Sequence, residues 1–118
     1  MSDTQNPNIN TNVFNKGLIF SIPLEYSGVY KITNIINGKC YIGSSLNLYN
    51  RLGVHKTSLK YNRHENEYLQ KAYNKYGVQN FTIEILEKYK RIEDEDFRNF
   101  LLLREQIFFD RICNLSNQ

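Results

Sequence analysis

Two phenols at Tyr30 and Tyr41, a guanidinium at Arg51, an imidazole at His55 and a carboxylate at Glu105 are the side chains whose types and order could serve phosphodiester hydrolysis. That reaction needs a cation on the phosphate oxygens, a fixed positive side chain for the charge that builds in the transition state, and a group to take a proton from the attacking water. Arg51 is permanently charged and its planar fork matches phosphate. A free phenol titrates near ~10, so Tyr30 becomes a base at neutral pH only where a cation or hydrogen bond stabilises phenolate. Arg51, His55 and a bound metal are the groups able to do that. Taken singly, these residues have plainer readings: a surface arginine, a surface histidine, two strand tyrosines packing their rings. Glu105 differs because its surroundings are apolar, with Leu101 and Leu102 about one turn before it and Phe108 and Phe109 about one turn after. A carboxylate there must be neutralised, paired or bound to a cation. Spacing alone leaves open an ion pair with Arg51 or Arg104, exposure at the helix edge, and a metal ligand.

The elements that must position these groups begin with a hairpin. Asn37-Gly38 stands between Gly28-Val29-Tyr30 and Tyr41-Ile42-Gly43, and both turn residues tolerate the positive φ of a tight turn. Strand alternation puts Tyr30, Ile32 and Asn34 on one face, and Tyr41 with Gly43 on one face of the next strand. A two-residue loop would set Tyr41 opposite Asn34; a longer one brings it closer to Tyr30. Ser44-Ser45 offers hydroxyls for an N-cap, and a helix over about 46–60 follows, with Leu48, Leu52 and Leu59 inward. Arg51 and His55 lie four apart on its surface and share a face. Gly53 between them weakens the helix, and is either simply tolerated or lets a backbone or phosphate come close. A second helix is predicted over about 66–76, with Leu69, Ala72, Tyr73 and Tyr76 on one stripe and Gly77 as a left-handed stop. Phe81, Ile83 and Ile85 alternate with Thr82 and Glu84 in a third strand ending near Glu87. Glu93 to Asp96 supply acidic residues for the positive dipole end of a last helix. The expected architecture is a small α+β domain: a three-stranded, mostly antiparallel sheet flanked by three helices.

Gly28-Val29-Tyr30, Tyr41-Ile42-Gly43-Ser44-Ser45, Asn47-Leu48, Arg51-Leu52, His55, the block from Tyr68 to Gly77, Phe81 to Glu87 and Arg104-Glu105-Gln106 together resemble the GIY-YIG nuclease family. The resemblance runs over residues 27–112, and Val29 is a conservative departure from it. It implies a divalent-metal-dependent DNA endonuclease of the GIY-YIG fold, leaving 5′-phosphate and 3′-hydroxyl ends. A single carboxylate fits one Mg2+ or Mn2+ ion whose shell is completed by water and substrate oxygens. The resemblance makes Glu105 the metal ligand and Tyr30 the base, with Tyr41 hydrogen-bonding in the same site. Arg51 serves the phosphate, and His55 either polarises Tyr30 or contacts phosphate. Gly43 and Ser44 are candidate phosphate donors, with strand exit and helix capping as their structural roles. His64 falls where related nucleases often carry histidine and is a further phosphate candidate. An asparagine beyond the metal-binding glutamate usually buttresses the family's site; Asn114 is the candidate, at a spacing that departs from the pattern. Homing of an intron or mobile element is the implied biology, with a structure-specific repair nuclease and an inactive nucleic-acid-binding module as alternatives. Homing members commonly carry a separate DNA-recognition region, so sequence specificity is expected from another segment or a partner protein.

Composition sets the frame. The 118 residues are expected to comprise a flexible, Asn/Thr-rich leader over 1–26, in which Leu18 to Leu24 could pack on the domain, and one domain over 27–118. A net charge of +3 does not by itself point to nucleic acid, but residues 27–89 carry nine Lys/Arg against four Asp/Glu. Positive charge therefore gathers around the hairpin and first helices, where phosphate would be attracted; lysines merely solvating helix faces are the plainer reading. Cys40 and Cys113 lack Cys/His neighbours at ligand spacing, which argues against a disulfide framework or zinc site, and Cys40 is expected to be a small buried residue. No apolar run is long enough to cross a membrane, and no secretory signal opens the chain. Richness in Asn, Lys, Ile and Tyr hints at an AT-rich coding genome, such as a fungal mitochondrion or a phage, with the protein expected inside the cell.

Overall fold

The computed structural model describes residues 11–12, 26–90 and 94–114, with side chains for 26–90 and 94–112. Its sheet runs in the order β1-β4-β2-β3, where β1 is Thr11–Asn12, β2 Tyr26–Asn34, β3 Cys40–Ser45 and β4 Phe81–Lys90. The expected three strands are β4-β2-β3, and their pairings are antiparallel throughout. The two-residue β1 adds to the β4 edge through Thr11↔Ile83 and Asn12↔Thr82. Those two residues fall within the segment expected as a leader; Leu18 to Leu24 lie outside the described residues.

The hairpin takes the longer of its two loops. Tyr30 pairs with Gly43 and Ile32 with Tyr41, so both tyrosines share a face, Tyr41 sitting two pairs along the ladder from Tyr30. Asn34 Oδ1 accepts from the Ile36 N–H at 2.9 Å, Asn37 Oδ1 accepts from the Lys39 N–H at 3.0 Å, and Gly38 takes φ 78°. These Asx contacts hold the extra residues in a turn. β4 extends to Lys90 rather than Glu87 because Tyr26–Gly28 pair with Lys88–Lys90. Between Val29↔Glu87 and Tyr30↔Ile85 the ladder skips Leu86, a bulge that falls beside Tyr30. At Gly28 a Cβ would strike the Glu87 carbonyl oxygen and come within 3.1 Å of Leu48 Cδ1, so close backbone approach requires glycine there.

Helix α1 spans Leu48–Lys60, α2 Glu67–Tyr76 and α3 Glu95–Phe108. The cap of α1 is Asn47, whose side chain accepts from the Asn50 N–H, and not the Ser44-Ser45 pair. Ser45 Oγ is instead bound to Asn47, donating to its carbonyl and accepting from its N–H at 2.9 Å each. Asn66 caps α2 by accepting from the Leu69 N–H, and Gly77 ends it at φ 88°. Asp94 caps α3, which continues into a π-helical turn over Phe109–Asn114. A Cβ at Gly53 would meet open space, the tolerated-glycine reading.

Helices cover both faces. Tyr30, Ile32, Leu48, Leu52, Leu59, Leu69, Phe81 and Ile83 make the larger cluster, built with α1 and α2; Val29, Ile42 and Leu101 make the smaller one, built with α3. Cys40 is half-buried against the smaller cluster rather than fully enclosed. β2 is the strand that both clusters share, and full burial of each such apolar side chain is worth about 1.5–3 kcal/mol. Tyr30 is thereby fixed by a central strand.

Candidate active site

On the α1 face, Tyr30 and His55 are both fully buried, with the hydroxyl 2.6 Å from His55 Nε2. His55 Nδ1 lies 2.7 Å from His64 Nε2, and the Asn66 N–H donates to His64 Nδ1 at 3.0 Å. The imidazoles stack with centroids 4.9 Å apart, and Tyr41 stands edge-on to His55 at 5.2 Å and 6.4 Å from the Tyr30 ring. Local sequence explains the placement. The Tyr30 ring lies across Gly43, where any Cβ would collide with it. His55 follows Arg51 by one turn of α1. His64 is held by buried Gln70, whose Oε1 accepts from the His64 N–H at 2.9 Å and whose Nε2 donates to the Leu59 carbonyl at 3.1 Å.

Arg51 Nη2 donates to Glu65 Oε2 at 3.1 Å, and its guanidinium lies near enough to Tyr30 and Tyr41 to interact electrostatically with both. Burial alone would lower its pKa, but Tyr30, Glu65 and Tyr41 together outweigh that and hold it above the ordinary value. Burial, then the charges of Tyr41 and Glu105, push the Tyr30 phenol up, with Arg51 opposing. Burial, reinforced by Arg51 and His64, lowers His55 to about 3. His64 is lowered too, by burial first and Arg51, against the opposing pull of Glu65. Both imidazoles are therefore neutral near pH 7, and Tyr30 needs added positive charge to lose its proton.

The carboxylate arrives from the other layer. Glu105 Oε1 accepts from Ser44 Oγ at 2.6 Å. Ser44 follows Gly43 and points to the opposite face, so α3 delivers Glu105 to the edge strand β3 where the two faces meet. The arginines weighed as its partners are engaged elsewhere, Arg51 with Glu65 and Arg104 with Glu87. Arg104 grips both Glu87 oxygens, Nε at 3.0 Å to Oε1 and Nη2 on Oε2, while Tyr89 Oη donates to Oε1 at 2.8 Å. This fork sets the rotation of α3 and turns the next residue, Glu105, toward β3. The Arg104 hydrogen bond holds the Glu87 carboxyl below its usual range.

Among the described residues no three or more His, Cys, Asp or Glu gather as a metal cage. The donor set fits a hard divalent cation that takes one carboxylate and fills its shell with water and phosphate oxygens. Tyr30, Tyr41, Arg51, His55 and His64 form one cluster, with Ser44 and Glu105 at its rim across Gly43. Ser44 gives its hydroxyl to Glu105, and both ring nitrogens of His64 are engaged within the protein, which leaves neither of them for phosphate. Asn114 closes the π-helical turn, and its side chain lies outside the described residues. Sequence reasoning missed Glu65, Gln70 and the Asn66 amide. An asparagine just ahead of a helical stripe is a capping residue type, a signal that could have found Asn66; Gln70 and Glu65 carried no signal, because their roles depend on how the 61–66 connection folds back.

Fold and site together define a small α+β domain that carries a buried phenol, two imidazoles and a guanidinium on one face of its sheet and a helix-borne carboxylate at the edge strand. Residues 26–106 match the GIY-YIG catalytic domain, and the chain belongs to the GIY-YIG family. It is 35% identical over 78 residues to segD of Enterobacteria phage T4, covering 66% of this chain and 31% of that protein. It is 38% identical over 63 residues to intron-encoded endonuclease 1 of Neurospora crassa, covering 53% and 19%. Both are named as endonucleases, and the chain spans about a third or less of their lengths. In three dimensions it is similar to the catalytic domain of homing endonuclease I-TevI, with TM-score 0.63 and 29% identity over 73% of this chain and 87% of that one. An alanine-for-glutamate mutant of that domain gives TM-score 0.63 and 28% identity, covering 74% and 84%.

Proposed function

We propose that this chain is a divalent-metal-dependent endonuclease that hydrolyses DNA phosphodiester bonds, in the setting of intron or mobile-element homing. The observation that carries the reading is Tyr30 held between His55 and Arg51, across Gly43 from the Ser44-bound Glu105. Arg51 orients the scissile phosphate and holds the charge that builds on it. Tyr30, as phenolate, takes a proton from the attacking water. The water oxygen bonds to phosphorus as the bond to O3′ breaks, and O3′ takes a proton from solvent water, leaving 3′-hydroxyl and 5′-phosphate. GIY-YIG nucleases are generally divalent-metal dependent, and an ion on Glu105 would supply charge neutralisation for the phosphate and the departing O3′. Sequence specificity comes from a segment or partner beyond this domain, in line with the small share of its relatives that it spans. Those relatives come from a phage and Neurospora crassa, and we place the protein inside a phage-infected bacterium or a fungal mitochondrion.

The test is supercoiled plasmid incubated with the chain and Mg2+, or with chelator. Nicking that appears with Mg2+ and vanishes with chelator is expected. DNA binding without cleavage under Mg2+ or Mn2+ would replace this reading with that of an inactive binding module.

A further inference from the structure

The hydrogen bonds on the α1 face run in a single direction, and a main-chain group sets it. The Asn66 amide can only donate, so His64 Nδ1, at 3.0 Å, is an acceptor without a proton. His64 then carries its proton on Nε2 and donates it to His55 Nδ1 at 2.7 Å. His55 Nδ1 is in turn bare, its proton sits on Nε2, and that N–H points at Tyr30 Oη, 2.6 Å away. An imidazolium at either histidine would set two N–H groups against each other. We infer that the Asn66 main-chain amide locks His64 and His55 in their Nε2–H tautomers, so that His55 is a hydrogen-bond donor to Tyr30 and never the base that takes its proton; His64 and Asn66 are positioning residues.

The consequence for Tyr30 is specific. A neutral phenol has one proton and two acceptor sites. His55 occupies one site, and the nearby Arg51 charge favours the ionised form. Phenolate offers a further lone pair to a proton from water, and the His55 donor and the Arg51 charge both favour it. The phenolic proton does not pass inward through the imidazoles, because His55 Nε2 already carries one. Burial, which favours the uncharged state of both rings, agrees with this arrangement. Gln70 secures the lock by holding the His64 main chain at 2.9 Å.

This inference deepens the nuclease reading and rests on it for its meaning, but its primary readout is independent of cleavage. The chain contains only two histidines, so a long-range 1H–15N correlation spectrum shows two imidazoles, assigned by substituting either one. At pH 7 both are expected as neutral Nε2–H tautomers. An Nδ1–H tautomer or an imidazolium at either position overturns the lock, whatever the nicking assay shows. The amide is isolated by comparing Asn66→Ala, which removes the side-chain cap of α2, with Asn66→Pro, which removes cap and N–H together at φ −89°, near the range proline adopts. Expected is retention of the Nε2–H tautomers in Asn66→Ala and their loss in folded Asn66→Pro. Nicking kcat should then fall about 10-fold or more in the proline variant relative to the alanine one, about 1.4 kcal/mol of lost transition-state stabilisation. Identical tautomers in the two variants would remove the amide from the relay, and the wild-type spectrum decides the rest should the proline variant not fold.

Discussion

The two faces of the sheet are built to different tolerances. Under α1 and α2, Tyr30 and His55 are fully buried and linked atom by atom to His64 and the Asn66 amide. Under α3 the smaller cluster has three buried members, Leu102 and Leu103 stand 47% and 62% exposed, and Glu105 is positioned by one hydroxyl and the neighbouring Arg104–Glu87 fork. In the proposed reaction, proton transfer on the first face would need an oxygen fixed against its donors. The second face would need only to bring one carboxylate to the edge, because water and substrate oxygens can complete the shell of a hard cation. The difference in packing between the faces matches what each proposed task would demand of its surroundings.

Removing the carboxylate tests the open face and should have the largest effect. Glu105→Ala deletes the protein's one metal-directed oxygen ligand in the proposed site, worth several kcal/mol of transition-state stabilisation, so nicking should fall about 10³-fold or more. Its sole described partner is Ser44, and the side chain is only half-buried, so stability should move by about 1 kcal/mol or less. Urea unfolding beside single-turnover nicking checks both. Nicking that survives in folded Glu105→Ala would remove the glutamate from the reaction.

Tyr30→Phe breaks the comparison from the other side. Losing a general base typically costs about 10²–10⁴-fold. Here it also strands the His55 Nε2–H in a fully buried site, a penalty of about 1–3 kcal/mol. The two variants should thus separate: Glu105→Ala loses activity alone, Tyr30→Phe loses activity and stability together. Equal stability losses would mean the faces do not differ in the way described.

The same division decides what was legible in the sequence. Tyr30, Tyr41 and Gly43 could be placed on a shared face because strand alternation is local, and Leu48, Leu52 and Leu59 because helical periodicity is. The loop that sets Tyr41 opposite Ile32 rather than Asn34 depends on Asx contacts of Asn34 and Asn37 that no period reveals. The α1 cap moved from Ser44-Ser45 to Asn47 because tertiary contact claims the Ser44 hydroxyl for Glu105 and because Ser45 folds onto Asn47. The apolar flanks of Glu105 marked it as a carboxylate needing a partner, yet Leu102 and Leu103 are exposed, so the helix is less enclosed than its composition implied. His64 was identified by position, but nothing in its immediate neighbours announces that Gln70 draws it inward or that His55 and the Asn66 amide engage its ring.

Gly43→Ala probes how closely the phenol is held. A Cβ there overlaps the Tyr30 ring, and neither the central strand nor the His55 contact lets that ring retreat freely. Overpacking of this kind costs about 1–3 kcal/mol. Unfolding of Gly43→Ala should show that loss together with altered His55 tautomer signals. Gly53→Ala on α1, which meets open space, should instead be neutral or slightly stabilising through helix propensity.

The smallest expected effect separates the faces by pH. His55 is lowered to about 3, against an unfolded value near ~6.5. Between those two values the unfolded chain binds a proton that the native site refuses, so stability is complete above about pH 6.5 and declines as pH falls below it. The slope approaches ~1.4 kcal/mol per pH unit for one fully shifted histidine; His64, shifted the same way, adds to it. On the α3 face the sign is the same but the window lies lower. The Glu87 carboxyl is depressed by Arg104, so its contribution persists above the unfolded carboxylate value of ~4.3 and is lost only as pH drops below that. Urea unfolding at pH 7, 6 and 5 therefore reads the closed face almost alone, with a loss of about 2 kcal/mol expected from His55 from top to bottom and more with His64. His55→Gln should flatten that slope and Glu87→Gln should leave it unchanged. A pH-independent wild-type curve over this range would mean that His55 takes up its proton in place, which a face closed around the Tyr30–His55–His64 relay does not permit.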